Sequence, residues 1–289
     1  MESKELLLDS LDKRAETYRE KLKLCRDEFS KKAVHDFRTS IRRLLAMLDV
    51  GAFVTSGSRV KKLSDRLKEQ LDGFTDLRDI HVMLDKISEN ISTLPELEPL
   101  QNYLEKREKR KQRTADKNTK NIKRGSINNR LLKIREAVED LSTEELRGKL
   151  PQAVDEAYLI TVMQRYGEID PEQPVSIHHL RVAFKKFRYM VEEIYPSLPD
   201  FPESLLDRMH DYQTQMGDIH DVQVFLETLA QFAKDNDSYD PESVRRFYEQ
   251  ILAETLSVFL KNKDEVITFW RATPLSAFPW EADQTKQEQ

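Results

Sequence analysis

The sequence contains two copies of one motif, Val34-His35-Asp36-Phe37-Arg38-Thr39-Ser40-Ile41-Arg42-Arg43-Leu44 and Ile177-His178-His179-Leu180-Arg181-Val182-Ala183-Phe184-Lys185-Lys186-Phe187. Each copy reads apolar residue, His, two residues, Arg, and then a dibasic pair that begins four positions after the Arg. On a helix with about 100° per residue, the His, the Arg and the first basic residue of the pair share one face, beside an apolar stripe. A repeated cationic stripe next to a core stripe predicts a pseudo-symmetric protein that holds an anion with many charges.

A second repeated pair supports this prediction. Asp76-Leu77-Arg78-Asp79 aligns with Asp218-Ile219-His220-Asp221 at an offset of 142, against 143 for the first pair. Two motifs that recur in the same order and at nearly the same offset indicate two related halves of one chain.

The composition favours helix almost everywhere. The 289 residues include only seven Gly, charged residues make up 34%, and no segment alternates at the period of a strand. We therefore expect an all-α fold of two four-helix bundles related by an internal pseudo-twofold repeat, in a single domain over residues 1–268 with repeats at about 3–140 and 150–268. Residues 269–289 are expected to form a partly disordered C-terminal tail.

Helix boundaries follow from periodicity and from the Gly and Pro positions. In the first half we expect helices over 3–29, 33–50 (ended by Gly51), 59–73, a continuation to about 92, and a basic stretch to 139 with a possible break at Gly125. In the second half the expected ranges are 151–167, 175–195, 202–234 and 241–268, followed by a non-helical segment at 274–280 and disorder from 281.

Charge and cysteine content narrow the class of protein. The first 143 residues carry 32 Lys and Arg against 25 acids (+7), and the remainder carry 15 against 27 (−12). A pI of about 5.8 makes nucleic acid an unlikely partner, although a local basic channel remains compatible with it. The absence of a long apolar run predicts no membrane span, and one Cys without a signal peptide predicts the cytoplasm.

These motifs resemble the CHAD family, the conserved histidine α-helical domain, whose pattern pairs a His helix with a Gly-x-x-Arg-Asp-x-x-Val helix some forty residues later and repeats the set once. The resemblance covers about residues 3–268; the chain departs from the pattern at Thr75, which stands where Gly217 stands in the second half, and at His220, which replaces the Arg of the first half. It implies a two-bundle fold that binds inorganic polyphosphate, often at polyphosphate granules.

Some relatives fuse this domain to a triphosphate-hydrolysing tunnel domain that starts with a Glu-x-Glu-x-Lys strand. The nearest string here, Glu96-Leu97-Glu98-Pro99-Leu100, lacks the Lys, so the stand-alone form is expected.

The predicted function is therefore non-catalytic binding of a phosphate chain between the two bundles, without a cofactor. Arg can chelate two phosphate oxygens, Lys acts as a point charge, and His donates from both nitrogens when an anion keeps it protonated. The candidate polyphosphate-binding residues are His35, Arg38, Arg42, Arg43, His178, Arg181, Lys185 and Arg188.

Other interpretations stay open at this point. The basic stretch from Lys106 to Arg135 could form a wall of the site through Arg110, Arg113, Lys117 and Lys123, or be a solvated helix. Asp79 and Asp221 are expected to hold a basic side chain of the His helix in place. A metal site built from His178, His179, His210, Asp218, His220 and Asp221, an enzyme or accessory protein of polyphosphate or nucleotide phosphate metabolism, and an RNA-binding or helical scaffold protein are the alternatives.

Overall fold

The computed structural model describes residues 3–55, 58–120, 122, 124–167 and 174–281. Within these ranges the chain forms ten α-helices, three short 3-10 segments and no strand, which confirms the all-α prediction. The helices are α1 (Ser3–Glu28), α2 (Lys31–Thr55), α3 (Ser58–Asp72), α4 (Thr75–Asn90), α5 (Glu98–Lys120), α6 (Arg124–Glu139), α7 (Thr143–Tyr166), α8 (Pro174–Ile194), α9 (Ser204–Lys234) and α10 (Glu242–Asn262). The 3-10 segments are Pro95–Leu97, Tyr195–Ser197 and Lys263–Thr268.

The Gly positions predicted some helix ends correctly and others wrongly. Gly73 does separate α3 from α4, as expected. Gly51 does not end α2, because Val50 and Val54 are buried on either side of it and tertiary packing outweighs the low helix propensity of one Gly. Gly125 lies inside α6, and the interruption in the basic stretch falls just before it, between Lys120 and Arg124.

Two boundaries in the second half also differ from the prediction. Helix α7 begins at Thr143, earlier than expected, because Ser142 and Glu145 form a capping box: Glu145 N donates to Ser142 Oγ at 3.2 Å, and Ser142 N donates to Glu145 Oε2 at 3.0 Å. Helix α10 ends at Asn262, where the 3-10 segment takes over. The Ser-x-x-Glu signal was present in the sequence and marks the correct start.

Two apolar clusters form the core, and both take residues from the two halves of the chain. The larger cluster joins α1, α2, α3 and α6 to α7, α8 and the first half of α9. The smaller joins α4 and α5 to the second half of α9 and to α10, with Phe225 stacked on Tyr248 at 3.8 Å. The halves therefore share their core, and their division into two four-helix bundles stays a prediction.

Packing on the domain continues beyond residue 268, where the predicted repeats end. Phe269, Trp270, Phe278 and Trp280 belong to the larger cluster, and Trp270 Nε1 donates to Asp155 Oδ1 at 2.8 Å. Residues 271–278 form turns and no helix, as expected, but residues 279–281 are helical, so the prediction of a non-helical segment over 274–280 is wrong at its end. The predicted disorder concerns residues 281–289, of which 282–289 lie outside the described residues.

Helices α2 and α8 are central to the fold and pack against each other. Their apolar residues, among them Phe37, Ile41, Phe184 and Phe187, are fully buried in the larger cluster. Burying each such side chain stabilises the fold by about 1.5–3 kcal/mol, which fixes the rotation of both helices. The cationic stripes are thereby directed away from the core. In the described part of the chain, no helix is long and apolar enough to cross a membrane.

Candidate anion-binding site

One cavity of about 720 Å³ lies between α2, α3, α4, α8 and α9. All eight residues proposed from the sequence line it: His35, Arg38, Arg42 and Arg43 from α2, and His178, Arg181, Lys185 and Arg188 from α8. We call it the basic cavity, because its lining residues comprise nine Lys or Arg and four Asp. The remaining basic residues are Lys68, Arg78 and Lys186, and the acids are Asp49, Asp72, Asp79 and Asp221.

The lining residues occupy equivalent positions in the two halves. With the offset of 143 between α2 and α8, His35 matches His178, Arg38 matches Arg181, and Arg42 matches Lys185; Arg43 likewise matches Lys186. With the offset of 142 between α3–α4 and α9, Lys68 matches His210, Arg78 matches His220, and Asp79 matches Asp221. We call the α2–α3–α4 side the first wall and the α8–α9 side the second wall.

Lys68 and Arg78 were not among the predicted site residues, although the sequence carries a signal for them. Lys68, Asp72, Thr75, Asp79 and Val82 line the cavity at alternating steps of four and three, the spacing of one helix face. The face continues across the Gly73 interruption, with Arg78 beside it. Extending this spacing in both directions from Asp79 identifies the lining residues of the first wall.

Arg38 is fixed in the first wall. Its side chain is almost fully buried, and Nη1 donates to the Leu71 carbonyl at 2.5 Å and to Thr75 Oγ1 at 3.1 Å. Leu71 is in the last turn of α3, where carbonyl groups carry partial negative charge, and its carbonyl also accepts from Phe74 N and Thr75 Oγ1, each at 3.3 Å. The interruption at Gly73 leaves this carbonyl able to accept from Arg38 as well. Burial and the nearby Arg42 lower the Arg38 pKa to about 10.

Four half-buried cations in the basic cavity form no ion pair. Among the residues that the structure describes, Arg42, Arg78, Arg181 and Lys185 form no hydrogen bond or ion pair, and the buried Nε of Arg181 has no acceptor; Lys68, which is exposed, is also unpaired. Burial, followed by Arg42 and Arg181, lowers the Lys185 pKa to about 6. Burial also lowers the pKa of Arg42 and of Arg181. Desolvation and repulsion between these cations both disfavour their charged forms, and a bound anion would favour the charged forms.

Other cations of the cavity are already paired. Glu192 bridges the walls: it forms an ion pair with Arg188 and lies 3.5 Å from Arg43 Nη2. The Arg188 guanidinium also stacks on Tyr189 at 4.6 Å. Lys186 Nζ lies 3.0 Å from Asp49 Oδ2. Arg43 and Arg188, both predicted site residues, therefore keep less free charge for a ligand than the unpaired four.

The His residues of the two motifs lie in the cavity but are held neutral in the free protein. Burial, followed by Arg78, lowers the pKa of His35, and burial, followed by Arg181, lowers that of His178. The His178 ring lies 5.1 Å from that of His220, whose pKa falls to about 4, mainly through burial. His179 is exposed and does not line the cavity.

Asp79 and Asp221 line the cavity without forming the salt bridges expected of them. In the described ranges neither carboxylate has an ion-pair partner, and Arg38 is held by Leu71 and Thr75 instead. The two carboxylates therefore act on the arginines of the His helices through longer-range attraction and not through ion pairs. Burial raises the pKa of both carboxyls, against the lowering effect of Arg38 on Asp79 and of Arg181 on Asp221.

The basic stretch at 106–135 does not join the site. None of its described residues lines the basic cavity. Several instead pair locally, as Lys111 does with Asp76 and Arg135 with Asp12, and Arg110, Arg113 and Lys117 are exposed. Lys123 lies outside the described residues. The charged residues of this stretch whose side chains the structure describes are exposed or half-buried, as expected of a solvated helix.

The His and Asp residues do not gather into a metal site in the described part of the chain. No group of three His, Cys, Asp or Glu side chains there has the arrangement needed to hold an ion. What the arrangement can do chemically is to neutralise an anion from two sides, with guanidinium and ammonium groups that lack any other partner.

Comparison with known proteins supports the family resemblance that the repeated motifs indicate. A family model for the CHAD domain matches residues 9–230. The fold is similar to that in the crystal structure of the CHAD domain from the plant Ricinus communis, with a TM-score of 0.67 and 17% identity over 92% of this chain and 90% of that one. No curated protein matches the chain in sequence. Because the family model covers well over half of the residues, the chain belongs to the CHAD-domain family.

Proposed function

We propose that the basic cavity binds inorganic polyphosphate. The observation that carries this proposal is the group of four half-buried cations, Arg42, Arg78, Arg181 and Lys185, that converge on one space without an ion pair in the described part of the chain. Leaving buried charges unpaired costs stability, so such an arrangement is maintained for an anionic partner. Charges on both walls suit an anion that presents negative groups on all sides along its length.

The chemistry of the lining favours a bare phosphate chain over RNA or a nucleotide. Binding to single strands normally uses open aromatic faces on which bases stack. Among the described residues that line the cavity, Tyr189 is the one Phe, Tyr or Trp, and it is 6% exposed and already covered by Arg188 at 4.6 Å and Arg43 at 6.0 Å. A base would have to displace these guanidinium groups, whereas a phosphate chain needs only the charges.

We further propose that the two walls derive from one repeated unit, with bundles at about 3–140 and 150–268 related by a pseudo-twofold axis. Equivalent positions in the two motifs line opposite sides of the same cavity, which supports this relation. A regular polymer whose two directions are chemically alike is a natural ligand for such a pseudo-symmetric site.

The proposed role is binding without catalysis, in the cytoplasm and at polyphosphate granules. Phosphoryl transfer needs a positioned nucleophile, usually beside a metal held by carboxylates. Asp79 and Asp221 each lie among arginines whose charge would compete with a metal ion. An enzyme or accessory protein of phosphate metabolism would use the same cavity and is distinguished by product release.

The test is titration of the full chain with long-chain sodium polyphosphate, followed by competition with single-stranded RNA of equal charge. We expect saturable binding that weakens steeply with added salt, because counterions are released from the phosphate chain. Polyphosphate should displace RNA, and RNA should fail to displace polyphosphate. Equal competition by both polymers would favour a general polyanion or RNA site, and the absence of binding would refute the proposal.

A further inference from the structure

The two walls of the basic cavity carry different kinds of cation at matched positions. Where the first wall has Arg78, the second has His220, and where the first has Arg42, the second has Lys185. Arg stays protonated at all physiological pH values, whereas His and a buried Lys can exchange protons near neutrality. His178 and His220 lie side by side, with ring centroids 5.1 Å apart.

The surroundings oppose protonation of this wall in the free protein. The Lys185 pKa is lowered to about 6 and the His220 pKa to about 4, each mainly by burial and then by neighbouring cations. Charged and titratable groups from five helices line the cavity around these residues. They are His35, Arg38, Arg42, Arg43 and Asp49 of α2, Lys68 and Asp72 of α3, Arg78 and Asp79 of α4, Arg181, Lys186 and Arg188 of α8, and His210 and Asp221 of α9. The balance around the wall is therefore strongly positive.

We propose that His178, His220 and Lys185 form a proton-accepting wall, and that entry of a phosphate chain draws protons onto them, so that binding strengthens as the pH falls. This inference rests on the proposed function. A nearby anion favours the charged form of a basic group, which reverses the effect of burial and of the surrounding cations. Protonated His178 and His220 would then donate hydrogen bonds to phosphate oxygens, adding to the permanent charges of the first wall.

The sign of the effect follows from linkage. Between the pKa of each group in the free protein and its higher pKa in the complex, the complex holds more protons than the free protein. Binding in that window takes up protons, and affinity rises by about tenfold per pH unit for each proton taken up. For Lys185 the window begins at about 6 and extends upward, so neutral pH lies within it.

Calorimetric titration with long-chain sodium polyphosphate, in buffers of different ionisation enthalpy, counts the protons. At about pH 7.5 we expect net proton uptake, and affinity at least about tenfold higher at about pH 6. Lys185→Arg, which keeps the charge permanently, and His220→Gln should each reduce the uptake and flatten the pH dependence. Lys117→Arg is the control for Lys185→Arg, because Lys117 is exposed and outside the cavity; it should leave both unchanged. Circular dichroism verifies that each variant folds.

The outcomes separate the two proposals. Tight binding without proton uptake overturns this inference and leaves the proposed function intact. Uptake that persists undiminished in both cavity variants places the protons on the terminal phosphates of the ligand and also overturns it. Failure of the unmodified protein to bind polyphosphate at either pH overturns both.

Discussion

The two walls of the basic cavity come from one motif but have become different in how their cations are held. In the first wall, Arg38 donates to Leu71 and Thr75 and is almost fully buried. In the second wall, the matched Arg181 forms no hydrogen bond or ion pair in the described part of the chain. Gly217 stands where Thr75 provides a hydroxyl, and α9 continues through the position at which α3 ends. The first wall therefore preorganises this Arg, whereas the second leaves it free to adjust to a ligand; Arg42 and Arg78 of the first wall are also unpaired among the described residues.

The same contrast extends to charge. The first wall uses Arg42, Arg78 and Lys68 at positions where the second uses Lys185, His220 and His210. A preorganised side chain such as Arg38 lowers the entropic cost of binding, while an unpaired one such as Arg181 can follow a flexible chain. Sequence repetition therefore does not require equal roles, and variants at matched positions can measure the difference.

The largest expected effect is on affinity. Arg42→Glu in the first wall and Lys185→Glu in the second should each weaken polyphosphate binding by at least about a hundredfold at about pH 6, because a buried attraction becomes a repulsion. Binding isotherms provide the measurement. Arg113→Glu is the control, since Arg113 is exposed and outside the cavity. Normal affinity after either cavity reversal would mean that a single wall binds the chain.

The next effect is on stability and separates the walls directly. Arg38→Met should lower the free energy of unfolding by about 1–3 kcal/mol, the scale of hydrogen bonds to a charged group. Arg181→Met should change it by no more than about 0.5 kcal/mol, or increase it, since it removes a cation without a partner from among like charges. Urea denaturation of the two variants measures both values. Equal losses would show that the second wall is also held in place.

These differences between the walls were only partly predictable from the sequence. The period of the His motifs predicted one shared groove for His35, Arg38, Arg42, His178, Arg181 and Lys185, and these six residues do line one cavity, because a buried apolar stripe fixes the rotation of each helix. That they bind a phosphate chain stays a prediction. It could not predict that the Leu71 carbonyl would hold Arg38, since backbone groups have no sequence signature and become available only at the Gly73 interruption. The pairing of Arg43 and Arg188 through Glu192 likewise depends on how α2 and α8 pack.

The fold was likewise predictable in some features and not in others. Most helices were predicted to within a few residues, because Pro and Gly mark many of their ends. Helix α7 begins earlier than predicted because Ser142 forms a capping box at its start. The sharing of both core clusters between the halves, and the burial of Trp270 and Trp280 beyond the repeats, arise from contacts between residues distant in sequence.

A smaller effect concerns the salt dependence of binding. Arg38→Ala and Arg181→Ala should each reduce the slope of log affinity against log salt by about one, and the double variant by about two, if each guanidinium neutralises one phosphate. Titrations at several salt concentrations give the slopes. If Arg38 only positions the first wall, its variant will lose affinity at an unchanged slope, and the walls will differ in contact as well as in rigidity.

The smallest effect is expected at the matched acidic residues of α4 and α9, Asp79 and Asp221. Burial raises the pKa of both carboxyls, and neither has an ion-pair partner in the described ranges, so each places unfavourable negative charge near the phosphate chain. Asp79→Asn and Asp221→Asn should therefore strengthen binding by about two- to fivefold, the scale of a charge interaction of up to 1 kcal/mol. Neither variant, nor the unmodified protein, should release phosphate from polyphosphate or ATP with Mg²⁺ or Mn²⁺. Phosphate release that scales with protein concentration and disappears in either Asn variant would instead make these carboxylates metal ligands or bases, and the cavity an active site.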